Sequence, residues 1–173
     1  MKRLLLIALT AAVACGKKAT TYEAYHDAGA GFTLEAPKGW ALDAPPATAA
    51  RRPAVTTQFI GDMEPQDEGV PLGAVLTVTR QSRKASEKLI KDTTALFPDD
   101  GPASAESKSY SRDYEHGGPT PMHQNAAPIP MRVEGKVFRT ADAFYVVELR
   151  GVRGKFEANR PTLQRALATF KAS

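Results

Sequence analysis

Cysteine is almost absent from this chain: among 173 residues there is one, Cys15. A single thiol excludes a disulfide framework and the paired-cysteine metal sites. Tryptophan is as scarce, with Trp40 alone, and there are three histidines, His26, His116 and His123. Charge of one sign is also missing. The net charge is +4, from 23 basic and 19 acidic residues, and the signs are interspersed along the chain. Without a basic stripe, nucleic-acid binding is not expected. Phosphate-binding motifs are lacking. There is no Gly-Lys-Ser/Thr loop, and Gly29-Ala30-Gly31 has neither the third glycine nor the helix of a dinucleotide motif. Nucleotide binding is therefore excluded on sequence. There is no Gly-x-Ser-x-Gly elbow. Ser111, Asp113 and His116 supply the types of a hydrolase triad within six positions, but triads are assembled by the fold rather than by a contiguous run. Finally, no apolar run reaches the ~20 residues of a membrane-spanning helix.

What is present begins at the N-terminus. Lys2 and Arg3 precede an uncharged apolar stretch over residues 4–14. That is the layout of a secretory signal, with about 7–15 apolar residues closed by small side chains. Ala12-Val13-Ala14-Cys15 resembles a bacterial lipobox. The resemblance implies cleavage before Cys15, a diacylglycerol on its sulfur, and a chain tethered to a membrane. Residues 1–14 are then a signal peptide, 15–28 a lipidated tether, and 29–173 a single domain. Loss of Lys2 and Arg3 takes 23 basic residues to 21 against 19 acidic, a net charge of +2. Lys17-Lys18 would lie near the lipid surface.

Within the domain, apolar periodicity marks the elements. Phe32, Leu34 and Ala36 alternate with Thr33 and Glu35, the period of a half-buried strand. Pro37 ends it, and Lys38-Gly39 turns the chain into Trp40, expected to cap the core. Residues 43–53 read as a loop. Val55, Thr57 and Phe59 mark a second strand, and 73–80 a third, the two pairing as a hairpin through an acidic turn over 61–71. That turn lacks the ligand spacing of a calcium loop. Ala85, Leu89, Thr93 and Leu96, widened by Ile90 and Phe97, predict a first helix. Residues 98–130 hold six of the 13 prolines and are expected to be irregular, with one short strand over 107–111. Strands over 131–140 and 143–152 follow, joined at Ala141-Asp142. Tyr145, Val147 and Leu149 share one face, and Glu148 and Arg150 the other. Leu163, Ala166, Leu167 and Phe170 predict a last helix, starting at Asn159 or Arg160 with Pro161 in its first turn.

Two stretches carry a family likeness. The first is Gly31-Phe32-Thr33-Leu34-Glu35-Ala36-Pro37-Lys38-Gly39-Trp40. The second runs from Ala143-Phe144-Tyr145-Val146-Val147-Glu148-Leu149 through Phe156 to Ala168-Thr169-Phe170-Lys171. Together they resemble the PsbP-like superfamily, which includes the photosystem II extrinsic protein and Ran-binding Mog-type proteins. Its opening strand has the form Gly-Phe-x-Leu-x-x-Pro-x-x-Trp, and its close is a helix ending in a Ser-Phe-like pair, with Thr169 here in place of Ser. The resemblance implies an α+β fold: a central antiparallel β-sheet with helices on its faces, an α/β/α sandwich. It implies scaffolding or binding roles and no shared active site.

Two candidate sites fall in the irregular segment. His116 and His123, with Asp113 and Glu115, combine imidazole and carboxylate ligands suited to a divalent metal such as zinc. Tyr110 and Tyr114 are the aromatic anchors a protein partner would use. The expectation is a non-enzymatic protein of a bacterial cell envelope, facing the periplasm or the exterior and held to the membrane by lipid on Cys15. It would serve as a binding or assembly factor for a protein partner. No cofactor beyond the lipid is expected. The alternative is a metal- or small-ligand-binding lipoprotein using residues 98–130.

Overall fold

Antiparallel pairing organises the chain into two sheets. The computed structural model describes residues 20–61, 73–82, 107–118 and 127–173. Cys15, His123, the acidic turn and the helix expected from Ala85 to Phe97 lie outside these described residues.

A small sheet contains β1 (Tyr22–Asp27), β2 (Phe32–Pro37) and β9 (Lys171–Ala172), in the order β1-β2-β9. A six-stranded sheet contains β3 (Ala41–Asp43), β4 (Ala54–Ile60), β5 (Val75–Ser82), β6 (Ser107–His116), β7 (Ile129–Arg139) and β8 (Ala143–Val152). Its order is β3-β4-β5-β8-β7-β6. One described helix, α1 (Phe156–Thr169), packs against β2 and β8. The α+β class expected from the sequence is what the chain adopts, with the antiparallel strands divided between two sheets.

The core lies where α1 meets the large sheet. Leu76, Val78, Val147 and Leu149 are fully buried from the sheet side, and Phe156, Leu163 and Ala166 from the helix. Val55, Thr57 and Phe59 alternate inward on β4, as their spacing predicts. β5 is buried on both faces at its centre, since Thr77 is as enclosed as its neighbours Leu76 and Val78. Phe170, just past α1, packs its ring 4.6 Å from Phe138, 5.4 Å from Tyr145 and 6.0 Å from Phe32. It therefore joins the two sheets. Thr169 completes the joint by accepting the Glu35 N–H at 2.9 Å, a donor on the side of β2 away from β1.

Asp27 makes the second link between the sheets. It is buried, and its Oδ1 accepts the Ala30 N–H at 2.7 Å. Its Oδ2 accepts the hydroxyl of Thr57 on β4 and that of Tyr25 at 3.3 Å. Burial first, then the Asp27 charge, pushes the Tyr25 phenol up to about 12. Gly31 closes the same turn at φ +70°, a conformation that favours glycine, with the Tyr145 hydroxyl 3.4 Å from where a Cβ would sit.

Four expectations change. The tether does not run to residue 28, because Tyr22 to Asp27 pair residue by residue with Pro37 to Phe32. Only Asp27 of that strand is buried, so β1 has no apolar alternation to betray it. The irregular segment contains a ten-residue strand, β6, paired along its whole length with β7. Its residues, Ser-Lys-Ser-Tyr-Ser-Arg-Asp-Tyr-Glu-His, show no apolar period, and the strand is held by its ladder to β7. α1 starts at Phe156 rather than near Asn159, because Phe156 is buried in the core. Pro161 thus sits inside the helix, where it removes one backbone hydrogen bond. Trp40 is half-buried rather than enclosed, lying across Gly61 at the edge of the core.

Candidate functional site

Among the described residues, β6 is the outermost strand of the large sheet, and alternation sends its side chains to two faces. Tyr110, Arg112, Tyr114 and His116 share one face. Ser109, Ser111, Asp113 and Glu115 share the other, on the α1 side. From 109 to 116 every side chain is exposed except those of Tyr110 and Tyr114, which are half-buried.

The first face is built around Tyr110. Its ring crosses β7 above Gly135, and its hydroxyl donates to Glu148 Oε2 on β8 at 2.5 Å. A Cβ on Gly135 would fall 2.8 Å from that hydroxyl and 2.7 Å from the Val147 carbonyl. Glycine is required here because the phenol and the neighbouring strand occupy the space. Burial, then the Glu148 charge, raises the Tyr110 pKa well above the ordinary phenol value. Glu148 Oε1 also lies 3.5 Å from Arg150 Nε, and Arg150 Nη2 lies 3.5 Å from the Thr77 hydroxyl. The Arg112 guanidinium sits 5.7 Å from the Tyr114 ring centroid, a cation–π distance. Tyr110, Arg112, Tyr114, Val133, Glu148 and Arg150 line a cavity of about 210 Å3. It holds two guanidinium groups and one carboxylate.

The second face carries a charge network. Arg132 grips Asp113 with two hydrogen bonds, of 2.7 and 3.1 Å, and Arg153 approaches the same carboxylate at 3.3 Å. The Arg132 hydrogen bonds hold the Asp113 carboxyl below its ordinary value of 3.8. Glu134 pairs with Arg160 of α1 at 2.6 Å. Between β6 and α1 lies a groove of about 600 Å3, bordered by Ser109, Ser111, Arg160, Leu163 and Leu167.

The candidate residues thus separate. Tyr110 and Tyr114 come together with Arg112 between them. Asp113 and Glu115 face away from His116, and both Asp113 oxygens are already taken by arginine. His26 is on the small sheet, opposite Thr33. Among the described residues, no three His, Cys, Asp or Glu side chains gather as a metal site. Sequence reasoning passed over Arg112, Gly135 and the Glu148–Arg150 pair. The available signal was that Glu148 and Arg150 alternate with the core positions of β8, which puts them on the face away from α1.

No known protein-family profile matches the chain, and no curated protein matches it in sequence. Solved structures resemble it in three dimensions. The chain is similar to the Saccharomyces cerevisiae Ran-binding protein Mog1p, with 12% identity, 89% of this chain and 96% of that one covered, and a TM-score of 0.47. A single-residue variant of Mog1 gives 12% identity, 88% and 96% coverage, and a TM-score of 0.46.

Proposed function

We propose that this chain is a lipid-anchored binding protein of a bacterial cell envelope, tethered through Cys15, and that it engages a protein partner through β6. The observation supporting the partner is the display of Tyr110, Arg112 and Tyr114 on one face of a long, exposed edge strand. Tyrosine and arginine are enriched at interfaces because each offers a broad flat surface with a polar tip. Among the described residues, Arg112 has no acidic partner, so its charge is available. The anchor rests on the lipobox residues. The reading assigns no catalytic step and no cofactor beyond the lipid. The metal alternative finds less support, since Arg132 occupies Asp113 and His116 points to the opposite face.

Two measurements test this. Cys15→Ser should release the protein from membranes or leave it as unprocessed precursor. A variant retained in the membrane at mature size would overturn the anchor. A photo-reactive phenylalanine analogue at position 114 should cross-link to one envelope protein in whole cells. The same analogue at position 58, on the same sheet face but four strands from β6, should give none. Equal yields from both positions, or none from position 114, would overturn the β6 surface.

A further inference from the structure

We infer that β6 recruits its partner by strand addition, pairing with an extended segment whose acidic and apolar residues alternate. The inference rests on the partner-binding reading and adds the chemistry of what is bound.

The backbone carries the first part of the argument. Among the described residues, β6 closes the sheet order at one end and pairs with β7 along one edge only. In an antiparallel ladder every second residue directs its N–H and C=O away from its partner. Every second residue of the ten in β6 therefore adds to a row of outward donors and acceptors that another strand matches. β3, at the other end, has three residues, too few for comparable pairing. Edge strands are commonly guarded by charge. Here the Asp113 charge is held by Arg132 and Arg153, and positions 109–111 are Ser-Tyr-Ser.

Side chains carry the second part. A strand added to β6 continues both of its faces, with its residues alternating between them. On one face its neighbours are Tyr110, Arg112 and Tyr114. A residue directly opposite Arg112 has its Cβ within ~5 Å, and Arg112 has no acidic partner among the described residues. A carboxylate at that position supplies the missing charge. On the other face Ser109 and Ser111 are small, and the groove beside them is walled by Leu163 and Leu167 of α1. Apolar side chains fit there. One strand satisfying both faces has a period of two, acidic then apolar.

The test uses the full-length protein in detergent and synthetic ten-residue peptides with blocked ends. One alternates Glu with Val, a second alternates Lys with Val, and a third is the Glu–Val peptide N-methylated at every second residue. The Glu–Val peptide should bind and slow amide exchange at alternate residues of β6. The Lys–Val and N-methylated peptides should bind at least roughly fivefold more weakly. Arg112→Glu should invert the Glu–Val over Lys–Val preference by roughly five- to tenfold, the size of one cross-strand pair changed from opposite to like charge. Equal binding of the N-methylated peptide, or protection elsewhere, would overturn strand addition. So would a concentration-dependent dimer protected at β6, which would make the edge an interface between copies. If cross-linking from position 114 persists while the Glu–Val peptide fails to bind, the partner reading stands and strand addition falls.

Discussion

The corner where β2, β8 and α1 meet and the outer half where β6 meets β7 are built on opposite terms. At the corner, apolar side chains hold the elements together: Phe32, Tyr145, Phe156 and Phe170 fill the joint, Thr57 donates to Asp27 and Thr169 accepts from the Glu35 N–H. In the outer half the backbone ladder and a chain of ion pairs do more of the holding; the buried apolar side chains there, Met131, Val133, Val137 and Phe144, belong to β7 and β8, and Tyr110 packs beside Val137 and Phe144. Exposed ion pairs each contribute little in water. The corner therefore contributes most of the stability, while β6 adds mostly exposed side chains at the margin of the sheet.

Stability measurements can sharpen the contrast. Phe156→Ala at the corner should cost about 3–5 kcal/mol, the range for a buried aromatic truncated in a core. Urea unfolding would show it, and a loss below about 1 kcal/mol would mean that the corner is not the centre of stability. In the outer half the largest effect should come from Gly135→Ala. The added methyl meets the Val147 carbonyl and the Tyr110 hydroxyl, and should cost about 1–3 kcal/mol as overpacking does. Tyr110→Phe in the same background should recover part of that loss if the clash with the hydroxyl is the cause.

The smallest effect should be that of Asp113→Asn, and it should depend on pH. The Asp113 pKa is lowered in the folded state, so its ionised form is favoured by folding. That contribution is complete above the ordinary aspartate value of 3.8 and is lost as pH falls through the lower folded value. Wild type should exceed Asp113→Asn in melting temperature at pH 6. The gap should narrow as acid is added below pH 4 and shrink with salt, because the pair is exposed. A gap that widened in acid would break the assignment.

The same contrast explains what was legible in the sequence. Phe32, Leu34 and Ala36, and Tyr145, Val147 and Leu149, alternate because one face of each strand is buried. The helix stripe at Leu163, Ala166 and Leu167 is equally direct. The antiparallel pairing of β7 with β8 follows from the tight turn at Ala141-Asp142, and that of β4 with β5 from two alternating strands adjacent in sequence order. β6 escaped because neither of its faces is apolar enough to leave a period, and the prolines around it suggest a loop. β1 escaped for the same reason, with Asp27 as its buried residue. At the candidate site, Tyr110 and Tyr114 stood out as aromatics in a polar segment. Their partners did not: Gly135 and Glu148 become meaningful only once β7 and β8 lie beside β6 in register.

The small sheet draws together parts of the chain that lie far apart in sequence. β2 borders β1 on one side and β9 on the other, so Phe32 lies opposite Ala172. The hydrogen bond between Glu35 and Thr169 spans 134 positions. The hairpin of β1 and β2 is local in sequence, yet its second edge is completed only by residues 169–172. In the folded chain α1 carries Thr169 and Phe170 to that edge. Contacts of such long range also slow folding in general. The closing Thr-Phe pair is thus a clasp that ties the far end of the chain back to β2.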